Sequence, residues 1–183
     1  VKELHKQYGN LYNRDAEQYS NQTLIHQEFI KTVGVFVNET LDNLVTIAKE
    51  TNLDAVQLHG DEDEAFIQSL KERTNVEVWK AVQIRSAADA EAWIDSSADM
   101  LLFDAYHKDD RGGTGEVFDW SCLDEFERPF MLAGGIDSTN VARAIRTVRP
   151  YGIDISSGIE TEGVKDNEKI KAFTNIVRTI AMP

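Results

Sequence analysis

Three places in this 183-residue chain put residues capable of chemistry at the end of an apolar run. Asp104 closes Leu101-Leu102-Phe103-Asp104. A carboxyl group at a strand end can give a proton to a leaving oxygen, and it can equally cap the loop that follows. Leu132-Ala133-Gly134-Gly135-Ile136-Asp137 and Asp154-Ile155-Ser156-Ser157-Gly158-Ile159-Glu160 are the other two places. Glycines let backbone N–H groups close on an anion, and serine hydroxyls add donors. Either loop alone reads as readily as a tight turn. Both together, in consecutive units, favour a phosphorylated ligand at these loops. His59, in Val56-Gln57-Leu58-His59-Gly60, could face a ligand or be a satisfied strand-end imidazole. With no second histidine or cysteine beside it, it is poor support for a metal. Arg111-Gly112-Gly113-Thr114-Gly115 could be a lid or an exposed turn, and Asp61-Glu62-Asp63-Glu64 reads as a solvated helix start favoured by the helix dipole.

The elements that must position these residues form a regular series. Strand candidates are Lys31 to Asn38, Ala55 to His59, Glu77 to Ile84, Met100 to Ala105, Phe130 to Ala133 and Gly152 to Ile155. Markers within them recur every 22 to 23 residues, with one longer interval of 29 that carries an extra glycine-containing loop. Between them lie amphipathic stretches with apolar residues at 3-4 spacing, such as Leu41, Leu44, Val45 and Ala48, or Ala90, Trp93 and Ile94. Ser86 with Asp89, and Asp166 with Glu168, have the pattern of helix starts. Strict alternation of apolar strands with helices implies an α/β fold on a parallel sheet, either doubly wound or a (βα)8 barrel. The tail favours the barrel, whose phosphate site forms after its last two strands. Only six βα units are recognisable, so the expectation is an incomplete or N-terminally altered barrel. Residues 1–30 would form an atypical segment with one helix near Asn21 to Ile30, and residues 31–183 would be barrel units 3 to 8.

Composition narrows the function classes. A net charge of −13 repels phosphate backbones and anionic lipid, which argues against nucleic-acid and membrane partners. One cysteine, Cys122, allows no internal disulfide and suits a cytoplasmic location. The start of the chain is charged, unlike a secretory signal, and no apolar run approaches the roughly 20 residues that cross a bilayer.

The segments VGVFVN, VQLHG, LFDA, GGTGEVFDW, FMLAGGI and DISSGIETEGVKD, in this order and spacing from about Lys31 onward, resemble the phosphoribosylanthranilate isomerase family, (βα)8-barrel enzymes of tryptophan biosynthesis. The resemblance implies an Amadori rearrangement of N-(5-phosphoribosyl)anthranilate with no metal or organic cofactor. It implies that Asp104 is the general acid on the ring oxygen, that Gly134, Gly135, Ser156, Ser157 and Gly158 hold the phosphate, and that Gln57 and His59 are substrate-site positions. The family's general base is a cysteine in an initial K-x-C-G-L strand, and its arginine for the anthranilate carboxylate follows the second strand. Neither motif occurs here: Cys122 stands in Trp120-Ser121-Cys122-Leu123, and Arg14 has different surroundings. Strands 1 and 2 are therefore expected to be missing. Two readings follow. One is an active isomerase. The other is a catalytically inactive remnant that binds a phosphorylated ligand, or that self-associates or pairs with a complementing chain at its sheet edges.

Overall fold

A computed structural model describes residues 31–105 and 119–181. These fall into two compact units, one reaching to Val78 and the other starting at Trp79.

In the first unit, β1 (Val33–Phe36) pairs in parallel with β2 (Ala55–Leu58), with Val33 opposite Ala55 and Phe36 opposite Leu58. Parallel strands need a crossover, and helix α1 (Leu41–Thr51) supplies it. It starts where Thr40 Oγ1 accepts the Asn43 N–H at 3.4 Å and stops at Asn52, whose left-handed backbone ends the helix. Helix α2 (Glu64–Arg73) starts at Asp63, whose carboxylate accepts the Phe66 N–H at 2.9 Å. The apolar stripes work as expected: Leu44, Val45, Ala48, Ile67 and Leu70 are buried, as are Val56 and Leu58.

In the second unit, β3 (Glu77–Ile84), which belongs to it from Trp79 onward, β4 (Met100–Ala105), β5 (Phe130–Ala133) and β6 (Gly152–Ile153) pair in parallel in that order. The intervening helices are α3 (Ala87–Glu91) and α4 (Val141–Val148), and α5 (Asn167–Ala181) follows a short antiparallel hairpin of β7 (Glu160–Thr161) and β8 (Val164–Lys165). The capping box read at Ser86 forms, with Asp89 Oδ2 accepting the Ser86 N–H at 2.8 Å and the Arg85 N–H at 2.9 Å. Side chains alternate across the sheet. Leu101, Phe103, Phe130 and Leu132 therefore share one face. There Phe103 meets Phe126 and Phe130, each at 4.9 Å between ring centroids. The opposite face carries a buried cluster of Ala81, Leu102 and Ala133, with Met131 packed against it.

The expected strands at β3, β4 and β5 coincide with the observed ones, while β1, β2 and β6 stop one or two residues earlier and β1 also starts two residues later. Ile94, expected in the core stripe with Ala90, is 40% exposed, because α3 lasts only to Glu91 and helical spacing no longer applies beyond it. The hairpin was not expected; its two-residue strands are too short to show a period. The expected helix near Asn21 to Ile30 and the loop Arg111 to Gly115 lie outside the described residues. No helix among the described residues is long and apolar enough to cross a membrane.

Candidate active site

The second unit gathers Asp104 and both glycine loops at one edge. Parallel strands end on the same side, and β4, β5 and β6 are consecutive neighbours about 4.8 Å apart. Asp104 lies opposite Gln83 on β3 and Ala133 on β5. Alternation puts it on the face of the Ala81, Leu102 and Ala133 cluster, turned away from the aromatic cluster of Phe103. It is half-buried.

The loop after β5 turns through Gly134 at φ 83° and Gly135 at φ 59°, a conformation in which a side chain would be strained. A compact turn then fixes it. Asp137 Oδ1 accepts the Thr139 N–H at 2.7 Å, the Thr139 hydroxyl at 2.6 Å and the Asn140 N–H at 3.2 Å. The Asn140 amide returns to the Gly135 carbonyl at 2.8 Å. After β6, Ser157–Ile159 forms a single 3-10 turn. A Cβ on Gly158 would come within 2.1 Å of the Ile136 carbonyl oxygen and 3.1 Å of Asp137 Cα, so only glycine lets this turn lie against the loop after β5. The two loops thus form one surface of backbone and hydroxyl donors.

A cation lies beside it. Lys165, on β8, donates to the Ser156 carbonyl at 2.9 Å, the Ser156 hydroxyl oxygen at 3.1 Å and Glu160 Oε1 at 2.7 Å. The ammonium occupies one lone pair of the Ser156 oxygen and leaves the hydroxyl proton available to a further acceptor. Sequence reasoning missed Lys165; the only signal was its place in VKD, just beyond a Glu-Gly turn.

In the first unit, Gln57 is buried and His59 exposed, with Gln57 Nε2 3.2 Å from His59 Nδ1. The acidic run that follows is not wholly solvated. Asp61 and Asp63 are exposed, but Glu62 is 6% exposed because its carboxylate accepts the Asn38 N–H at 2.7 Å and the Gly60 N–H at 2.9 Å. That corrects the reading of Glu62 as part of a solvated helix start.

Cys122 sits in the 3-10 turn Trp120–Leu123. Burial pushes its thiol above the ordinary range, and the Asp119 carboxylate adds to the effect, the reverse of what an activated base needs. Among the described residues, no group of three or more His, Cys, Asp or Glu could hold a metal ion.

A family model described as PRAI, N-(5'phosphoribosyl)anthranilate (PRA) isomerase, matches residues 5–176. The chain is 46% identical over 151 residues to the N-(5'-phosphoribosyl)anthranilate isomerase of Endomicrobium trichonymphae, covering 82% of this chain and 74% of that one. The crystal structure of phosphoribosyl anthranilate isomerase from Thermotoga maritima superposes with a TM-score of 0.72 at 35% identity, covering 83% of this chain and 75% of that one. A crystal structure of the same enzyme type in complex with reduced 1-(o-carboxyphenylamino)-1-deoxyribulose 5-phosphate gives a TM-score of 0.69 at 33% identity, over 83% of this chain and 73% of that one. The six βα units are accordingly those of an α/β chain of the (βα)8-barrel type.

Proposed function

The chain belongs to the N-(5'-phosphoribosyl)anthranilate isomerase family, whose members carry out the Amadori rearrangement of that compound in tryptophan biosynthesis, and from this premise we propose the parts its own residues play. The substrate phosphate rests on the backbone at Gly134 and Gly135 and on Ser156, Ser157 and Gly158, with Lys165 as the nearby positive charge. Asp104 is the general acid. Its proton passes to the ribose ring oxygen as the C1'–O bond breaks, and the nitrogen lone pair forms the C=N bond. Loss of a proton from C2' to a base then gives an enolic amine that tautomerises to the ketone. Gln57 and His59 are proposed as further substrate contacts, on the match of their motif.

One observation carries this reading. Asp104 and the two donor-rich loops close three consecutive parallel strands at one edge, with Gly158 seated against Ile136. Two strand spacings separate the first strand from the third, about 10 Å, a span suited to a ribose with its phosphate at one end. The solved relative holds a small phosphorylated ligand, and the same ligand class is proposed here. Residues 31–183 would then be barrel units 3 to 8, working in the cytoplasm. The expected self-association or complementing chain would add along β1, where Val35 and Val37 are 58% and 65% exposed.

The test is turnover, read as loss of anthranilate fluorescence. Asp104→Asn should keep the folded state and reduce kcat by about 10²- to 10⁴-fold, the usual worth of a general acid. An Asp104→Asn chain that turns over like the parent removes Asp104 from the mechanism.

A further inference from the structure

The Glu62 carboxylate is buried in the first unit, and each of its oxygens has its own task. Oε1 accepts the Asn38 N–H at 2.7 Å and Oε2 accepts the Gly60 N–H at 2.9 Å. Asn38 stands two residues beyond β1 and Gly60 two residues beyond β2, so one side chain ties together the turns that leave two neighbouring strands. The same turns are joined three more times. Asn38 Oδ1 accepts the Asp61 N–H at 2.7 Å, Asn38 Nδ2 donates to Asp61 Oδ2 at 3.1 Å, and the Phe36 carbonyl accepts the His59 N–H at 2.8 Å. The fit excludes any other residue at Gly60, where a Cβ would lie 2.3 Å from Asn38 Oδ1 and 2.7 Å from the Asn38 nitrogen. Asn38 itself takes a φ of 53°, a strained backbone held in place by these bonds.

A carboxylate is costly to bury, and an exposed turn needs none of this bracing. What the brace fixes is the backbone on either side of His59, whose ring is already held from β2 by Gln57. We propose that Glu62 is a positioning residue for the isomerisation: it locks the His59-Gly60 turn so that the imidazole meets the substrate in a single orientation. This rests on the reading of His59 as a substrate contact. Glutamate suits the position for a chemical reason. A glutamine offers one acceptor and would turn its NH₂ toward a backbone N–H, and an aspartate is one methylene short.

The experiment is a double-mutant cycle on the whole chain, with kcat and KM measured for Glu62→Gln, His59→Ala and the pair, alongside competitive inhibition by inorganic phosphate. The expected result is a fall in kcat of about tenfold for Glu62→Gln, with phosphate inhibition within about twofold of the parent, and a pair no worse than the worse single variant. A loss of fold alone would lower melting temperature and weaken phosphate inhibition as well. Wild-type kcat in Glu62→Gln, or effects of the two substitutions that simply multiply, overturns the inference alone. A His59→Ala chain with parental kcat and KM overturns the reading of His59 and the inference with it. Should Glu62→Gln not fold, Glu62→Asp, which keeps the charge but is one methylene short, enters the same cycle with the same outcomes.

Discussion

Lys165 has all three of its ammonium hydrogens directed, two of them at Ser156. In a chain of net charge −13 a cation beside the donor loops matters more than its exposure would suggest. Its side chain is 49% exposed, so the contribution is discounted to about 1 kcal/mol, the upper end for exposed pairs. Lys165→Met should therefore raise KM about fivefold and leave kcat near the parental value, the pattern of lost uniform binding. A steady-state comparison checks it, and an unchanged KM would take Lys165 out of phosphate binding. Asp104 and the glycine loops were legible in the sequence because residue type and local order say what they can do. Lys165 and Glu62 were not. What turns Lys165 onto Ser156 is a hairpin too short to show a period, and what buries Glu62 is a pair of backbone N–H groups, which leave no mark in residue type.

Elements followed the same division. Long apolar strands such as Glu77–Ile84 and Met100–Ala105 were readable to the residue, since periodicity grows clearer with length. The five-residue α3 was readable at its start, through Ser86 and Asp89, but not at its end, where turns replace the helix. At the start of α5 the reading held, and its chemistry makes a pH prediction. The Asp166 carboxyl lies below the ordinary aspartate range, chiefly through the Thr161 hydroxyl at 2.7 Å, then through the N–H groups of Lys169 and Glu168. A carboxyl with a lower value folded than unfolded adds stability above the unfolded value, and that stability is lost as pH falls through the folded one. Melting temperature should accordingly fall on the acid side of about pH 4. In Asp166→Asn, that fall should be smaller. An identical acid profile for the two chains would mean the hairpin-to-helix junction does not depend on the charge. The group is exposed, so the effect is modest.

At the scale of the whole molecule, the sequence placed the chain in its class through six ordered motifs, and the family match over residues 5–176 agrees. Composition alone argued against some partner classes but could not choose a reaction. The proposed acid and phosphate positions became a joint statement only in the fold, where three successive strands in the second unit bring Asp104, Gly134 and Ser156 to one edge. That joint placement is the central claim, and a crystal structure of the chain with a reduced, non-reacting analogue of the product tests it most directly. The account predicts phosphate oxygens within about 3.2 Å of donors at Gly134, Gly135, Ser156 and Ser157, and an Asp104 carboxyl oxygen at the same distance from the former ring oxygen. A phosphate seated away from those loops, or an Asp104 that meets no ligand oxygen, would contradict it.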